Sequence, residues 1–324
     1  MLNKEPPLFS VIIPTYNRPD RLCICLQALV KVDYPRDYFE VIVVDDGSKM
    51  PLENYVIPFE KWLNISLLTQ PNSGPAKARN MGAMAAKGKF LVFTDDDCTS
   101  AADWLKNLEI RVTAIPDCLV GGKTVNALPD NLYSTASQQL IDYLYSYYNA
   151  NPDRARFFAS NNFAISTAYF QSIGGFDTTF PLAAGEDREF CDRLLDRGYC
   201  MIYAPEVVVY HAHELTLSKF WQQQFNYGRG AFRFQQISAE RGSRQMQHPS
   251  FYLNLLTYPF SQPSGIKMLL IAGLFILSQV GIAAGLFWEK GEGKWGRWGD
   301  GGGGEDRGDG GDGEDRGDGK LAIK

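Results

Sequence analysis

Phe90-Leu91-Val92-Phe93-Thr94-Asp95-Asp96-Asp97 joins an unbroken apolar run to three consecutive carboxylates. Four apolar residues without polar alternation read as a strand buried on both faces, the form strands take in a parallel sheet covered by helices. Adjacent acids repel, so the triple is costly unless a cation or a bound donor group neutralises it. An acid-bearing strand end recurs in Val41-Ile42-Val43-Val44-Asp45-Asp46-Gly47-Ser48, and a third apolar run, Phe9 to Ile13, enters Pro14-Thr15-Tyr16-Asn17. Three such ends line one crevice, where open α/β sheets bind ligands.

The segments between these runs read as helices: Asp20 to Val32, with Leu22, Leu26 and Leu29 on one face, and Ala76 to Ala86 after a third strand around Ile65 to Leu68. That alternation predicts an α/β, Rossmann-like, mainly parallel sheet flanked by helices. From Cys118 the pattern is less regular. A helix is expected over Leu132 to Tyr148, a strand over Phe157 to Ile165 and a helix over Asp187 to Arg197. Met201-Ile202-Tyr203 and Val207 to Tyr210 read as two further strands, and Ser218 to Gln236 as an aromatic-rich polar helix.

With 324 residues, 45% of them hydrophobic, the chain is able to bury a large core. A net charge of -5 gives no general affinity for nucleic acid, and none is expected as a partner. The six cysteines show no zinc-type pairing, which suits a reducing compartment. Met1 to Pro7 lacks the apolar core of a signal peptide, so the bulk of the chain is expected in the cytoplasm. Ile266 to Trp288 is long and apolar enough to cross a hydrocarbon core of roughly 30 Å. It is read as a single membrane span, with a buried helix as the alternative. Residues 1–240 then form the catalytic domain, 241–265 a linker whose Phe251 to Phe260 lies in the interface, and 289–324 a Gly/Asp-rich disordered tail.

Asp95 and Asp97 share a face of an extended strand and are read as ligands of a divalent metal, Mn or Mg, that also holds substrate phosphates; Asp96 points away or meets a ribose hydroxyl. Helix capping is the competing explanation for Asp97. Asp45 and Asp46 suit a base or ribose edge, although strand-to-turn transitions often carry Asp. Lys77 and Arg79 follow the turn Asn72-Ser73-Gly74-Pro75 and face a diphosphate or simply solvent. In Gly185-Glu186-Asp187, ordinary first-turn acids explain the pattern as helix-dipole partners. A carboxylate so placed is nevertheless able to take a hydroxyl proton, and Asp187 is chosen as a general base, with Glu186 orienting the group that gives up the proton. His211, two residues from His213, is a third metal ligand or a structural histidine. The run Tyr143 to Tyr148 is assigned to helix packing.

Together, Val11 to Arg18, Val44-Asp45-Asp46-Gly47-Ser48, Gly74 to Asn80, Thr94 to Asp97 and Gly185-Glu186-Asp187 resemble the family 2 glycosyltransferases with the GT-A fold, in matching order over roughly Leu8 to Phe234. The resemblance implies a nucleotide-sugar donor, a glycan or lipid-linked acceptor, a divalent metal and inversion at the anomeric carbon. It assigns Thr15, Asn17, Arg18, Asp45, Asp46, Lys77, Arg79, Asp95 and Asp96 to the donor, and Asn161 and Asn162 to the acceptor side. The chain departs from processive members in lacking Gln-x-x-Arg-Trp; Gln224 to Gly230 is a distant analogue, so single addition is expected. A sugar nucleotidyltransferase and a non-catalytic, membrane-attached sugar-nucleotide binding module are the alternatives.

Overall fold

The computed structural model describes residues 6–180, 182–242, 247–262 and 267–292. Eight strands, β1 (Phe9–Thr15), β2 (Phe39–Asp45), β3 (Ile65–Thr69), β4 (Phe90–Phe93), β5 (Cys98–Ser100), β6 (Cys118–Asn126), β7 (Phe163–Ser166) and β8 (Cys200–His211), form one sheet in the order β3-β2-β1-β4-β7-β6-β8-β5. Ten helices accompany them: α1 (Pro19–Val30), α2 (Glu53–Val56), α3 (Pro75–Ala85), α4 (Trp104–Ala114), α5 (Leu132–Tyr148), α6 (Thr167–Ser172), α7 (Glu186–Asp196), α8 (Leu217–Glu240), α9 (Pro249–Thr257) and α10 (Lys267–Glu292).

The first half is the parallel sheet its apolar runs predict. β1 pairs in parallel with β2 and β4, and β2 with β3. Every residue of β1, β2 and β4 is buried, because helices cover both faces. Val11 and Ile13 pack towards Leu22, Leu26 and Trp104, whereas Ile12, Leu91 and Phe93 face Phe163, Phe176 and Phe190 on the other side. The register sets Thr15 beside Asp45 and Ile12 beside Phe93, so the acidic loops leave the same sheet end.

The second half corrects several expectations. Only Phe163–Ser166 of the expected Phe157 to Ile165 strand is extended. The Phe158 ring instead sits over Gly121, where a side chain would stand 2.1 Å from it, and Asn149 accepts from the amides of Arg156 and Phe157. Met201 and Val209 belong to one strand, not two. A register shift opposite Gly122 and Lys123 interrupts its parallel pairing with β6. Asp97 does not cap a helix from Ala101; the chain first forms the edge strand β5, antiparallel to β8. Cys118 and Cys200, cross-strand neighbours 82 residues apart, are disulfide-bonded, which runs against the reducing-compartment reading of the cysteines.

Helices α5, α8, α9 and α10 build a third core around Tyr143, Phe220, Phe251, Ile271 and Phe275. The helical-packing reading of Tyr143 to Tyr148 holds: Tyr143 and Tyr145 are buried, and Tyr147 meets Phe251 edge-on at 4.8 Å. The expected span does not stand apart from the catalytic domain. α10 lies along α8 so closely that side chains at Gly228 and Gly285 would come within 2.0 Å of Ile282 O and 1.9 Å of Phe225 O. Its other side exposes Leu269, Leu270, Ile276, Val280, Phe287 and Trp288. Residues 289–292, expected as the start of the 289–324 tail, instead continue α10; the rest of that tail, and Ile266 at the start of the expected span, lie outside the described residues.

Candidate active site

The crevice is built from the carboxyl ends of β1, β2, β4 and β8, with the N-termini of α3 and α7 opposite. Two loops are tied together first. Asn17 takes the left-handed conformation, φ 55°, and its side chain accepts from Lys49 N while its own N–H donates to Ser48 Oγ. Asp45 Oδ1 accepts from Ser48 N at 2.9 Å. Asp46 is spent on the neighbouring loop: Oδ1 accepts from Gln70 Nε2 and Ser73 N, and Oδ2 from Gly74 N. Its three bonds fix the turn into α3, where Gly74 has φ 89°. Lys77 is exposed on that helix, while Arg79, two residues on, turns inward and is buried.

The acidic triple is neutralised in part by two arginines. Asp96, fully buried, accepts from Thr15 Oγ1 at 2.6 Å and lies 3.3 Å from Arg18 Nη2. Burial pushes its carboxyl up to about 7, against the pull of Arg18, and Asp97 adds to the rise. Asp96 therefore braces the loops from beneath, which is the outward-facing alternative of the sequence reading. Asp97 meets Arg18 Nη1 at 2.9 Å and His211 Nε2 at 3.2 Å. Burial would raise Asp97, but the His211 hydrogen bond and the neighbouring cations hold it well below the carboxylate range; His211 is raised in return, Asp97 outweighing its own burial. The His213 ring lies 5.1 Å from that of His211, tilted by 31°, and is pushed down to about 4 by burial and by His211.

Arg79 spans the crevice. Its Nη2 donates to Asp95 Oδ1 at 2.8 Å and its Nη1 to Glu186 Oε1 at 3.1 Å, joining the β4 loop to the first turn of α7. Glu186 is buried with Oε2 unpartnered, and burial, then the Asp187 charge, push its carboxyl up. Asp187 is partly exposed and accepts from Arg188 N at 2.7 Å; burial raises it, and that amide and Arg79 restrain the rise.

Of the expected metal ligands, Asp97 and His211 hold their ligand atoms within 4.8 Å of one another and of Cys98, which the sequence reading did not name; Asp95 is not in that cluster and accepts from Arg79 instead. A carboxylate–imidazole pair reaching the crevice fits a hard or borderline divalent ion. Cys98 suits it less, because burial and then Asp97 hold its thiol protonated. The acceptor-side assignment needs correction at Asn162. That side chain is fully buried, accepts from Trp104 Nε1 at 2.9 Å and donates to the carbonyls of Lys123 and Val207, so it pins the β6–β8 irregularity and its polar atoms are all engaged within the protein. Asn161 accepts from Thr124 Oγ1 at 3.1 Å and is also buried. Sequence reasoning missed Tyr227 of α8, on which the charges of Asp187 and Glu186 act, and Gln223, which donates to it; their spacing of four, one helical turn, was the available signal.

A strand-end acid triple, a bridging arginine and a helix-borne acid pair on this sheet define a sugar-transferring enzyme of the GT-A fold. The sequence model of Glycosyl transferase family 2 matches residues 10–174, and that of Glycosyl transferase family group 2 matches 127–289; the chain belongs to family 2 of the glycosyltransferases. Glycosyltransferase AglE of Haloferax volcanii is 26% identical over 226 residues, 69% of this chain and 73% of its own. Chondroitin synthase of Escherichia coli is 29% identical over 237 residues, 62% of this chain and only 34% of its own length. Among solved structures, the mannosyltransferase PcManGT of Pyrobaculum calidifontis, in complex with GDP-Man and Mn2+, shares the fold with a TM-score of 0.62 at 21% identity, over 90% of this chain and 89% of that one. S. aureus TarS 1-349 in complex with UDP-GlcNAc gives 0.51 at 18% identity, over 88% and 91%.

Proposed function

We propose that this glycosyltransferase inverts the anomeric carbon as it moves one sugar from a nucleoside diphosphate-sugar to a hydroxyl of a glycan or lipid-linked acceptor. The observation that carries the reading is Arg79, which sets the acid pair of α7 opposite the acidic end of β4. The donor would lie along Thr15, Asp45 and Asp95, with its diphosphate towards Arg18, Lys77 and Arg79. The structures bound to GDP-Man and UDP-GlcNAc support a nucleotide-sugar as donor class.

In this mechanism Asp187 takes the proton of the acceptor hydroxyl as its oxygen attacks the anomeric carbon. The bond from that carbon to the diphosphate oxygen breaks on the opposite face, and the nucleoside diphosphate leaves with the bonding pair. Asp187 suits the task because one oxygen is steadied by Arg188 N while partial exposure leaves the carboxylate open to the crevice. Glu186, locked to Arg79, orients rather than abstracts. A divalent ion held by Asp95, Asp97 and His211 would neutralise charge on the departing diphosphate. Arg18 and Arg79 carry two fixed positive charges to the same place and lose little freedom in doing so.

We read the transfer as a single addition rather than polymerisation, a reading that the missing Gln-x-x-Arg-Trp in α8 supports. We read α10 as membrane attachment, because an 18-residue window within Lys267–Gly291 has a mean hydropathy of 2.2 and is only one-third buried, and we keep the catalytic part on the cytoplasmic side. The exposed Tyr252, Leu253, Leu256 and Phe260 extend its apolar surface. Asp187→Asn tests the chemistry. It is expected to cut turnover at least about 100-fold with little change in donor affinity; retained turnover moves the base to another residue.

A further inference from the structure

Two hydrogen-bonded side chains of α8, Gln223 and Tyr227, have no part in the mechanism above, although Tyr227 lies within the field of Asp187 and Glu186. Gln223 Nε2 donates to Tyr227 Oη at 3.1 Å and lies 3.3 Å from His213 Nδ1. On its other side, Gln223 Oε1 accepts from Ser137 Oγ at 3.1 Å and Gln224 Nε2 at 3.2 Å. Every hydrogen-bonding group of Gln223 is therefore engaged within the protein. Tyr227 is held as an acceptor, and its own hydroxyl proton has no acceptor among the described residues.

The backbone beneath them is fixed. At Gly230, one turn beyond Tyr227, a side chain would stand 2.1 Å from Ala184 O, so α8 touches the loop that starts α7. On another face a side chain at Gly228 would stand 2.0 Å from Ile282 O of α10. A helix wedged between these two contacts cannot swing, and Tyr227 stays beside Glu186 and Asp187. Burial and the charges of Asp187, Glu186 and Asp95 push its phenol up, so it remains a neutral donor rather than a base.

We infer that Tyr227, oriented by Gln223, donates a hydrogen bond to a second hydroxyl oxygen of a sugar acceptor, adjacent to the hydroxyl that Asp187 deprotonates. The acceptor class is thereby polyhydroxylated, with at least two oxygens in reach, and the ring of Tyr227 offers an apolar face to the sugar. Gln223 is a positioning residue. Its bond to His213 ties acceptor placement to the histidine pair of the donor side, which explains why its amide bridges both. The inference rests on the proposed transferase reading.

The test separates transfer to sugar from transfer to water. The full-length protein, with Mn and the nucleotide-sugar it hydrolyses, is given a panel of p-nitrophenyl glycosides as acceptors. Tyr227→Phe is expected to raise the acceptor KM about 10-fold, the value of one lost hydrogen bond, while hydrolysis of donor stays within about two-fold of the parent. Gln223→Ala, which keeps the phenol but frees it, is expected to shift KM in the same direction by less. An unchanged acceptor KM in Tyr227→Phe overturns the inference, as does an equal fall in hydrolysis and transfer, which would place Tyr227 on the donor or in the fold. A parent that hydrolyses donor but glycosylates no member of the panel overturns the sugar-acceptor class. A parent that hydrolyses no nucleotide-sugar refutes the transferase reading beneath it.

Discussion

Replacing Arg79 with Met removes the one cation that joins Glu186 to Asp95. Both carboxylates lose a charged partner, but unequally: Asp95 is 27% exposed and regains water, whereas Glu186 is buried and already has one unpartnered oxygen. Breaking a buried pair from one side costs about 3–5 kcal/mol. The expected loss lies near the lower end, about 3 kcal/mol, because Glu186 can neutralise itself by binding a proton. For a chain of this size that corresponds to roughly 6–12 °C in Tm. The sign with pH follows from linkage. Without Arg79 the folded-state pKa of Glu186 rises further above its unfolded value of about 4.3. In the widened window between the two values the folded state binds more protons than the unfolded, so stability falls as pH rises, by at most about 1.4 kcal/mol per pH unit. Urea unfolding of the detergent-solubilised protein and the variant at pH 5.5 and pH 8 measures this. The destabilisation should be larger at pH 8, with Arg79→Lys between the two because one ammonium cannot fork to both acids. A loss below about 1 kcal/mol, or one independent of pH, refutes the bridge.

Asp97→Asn is expected to abolish metal-dependent donor binding, since it removes the charge shared by His211 and Arg18; equal donor affinity with and without Mn in parent and variant removes the metal assignment. Asn162→Ala should destabilise by at least about 2 kcal/mol, because Trp104 Nε1 and the carbonyls of Lys123 and Val207 are left unpaired, and should leave acceptor KM unchanged; raised KM at full stability would restore it to the acceptor site. The full-length protein should resist carbonate extraction through α9 and α10. A wholly soluble protein would make α10 a packing helix only, and truncation before it is no substitute test, since Phe220 and Tyr143 pack in one core with Ile271 and Phe275.

The parallel half was legible because burial on both faces leaves no polar alternation, so Phe9 to Ile13, Val41 to Val44 and Phe90 to Phe93 could be nothing but inner strands. Their acidic ends were legible for an electrostatic reason, since like charges in sequence require a partner in space. Which partner was not legible: Arg18 and Arg79 share the task that sequence alone gave to a metal. Asn162 misled because a buried amide and a ligand-binding amide look alike until their bonds are traced. Cys118 and Cys200 are brought together only by the β6–β8 register. The apolar composition of α10 reads as a span, yet the close approaches at Gly281 and Gly285 to α8 depend on a crossing that no local periodicity records.

The central claim is that the crevice at the β4 end breaks a sugar–diphosphate bond. Incubating the purified full-length protein with a panel of nucleotide-sugars and measuring nucleoside diphosphate, with Mn and then with chelator, addresses it directly. The account predicts that at least one donor releases nucleoside diphosphate, that chelator stops the release, and that Asp97→Asn and Asp187→Asn each suppress it. No release from any donor, or inorganic diphosphate formed instead from a nucleoside triphosphate and a sugar phosphate, would contradict it.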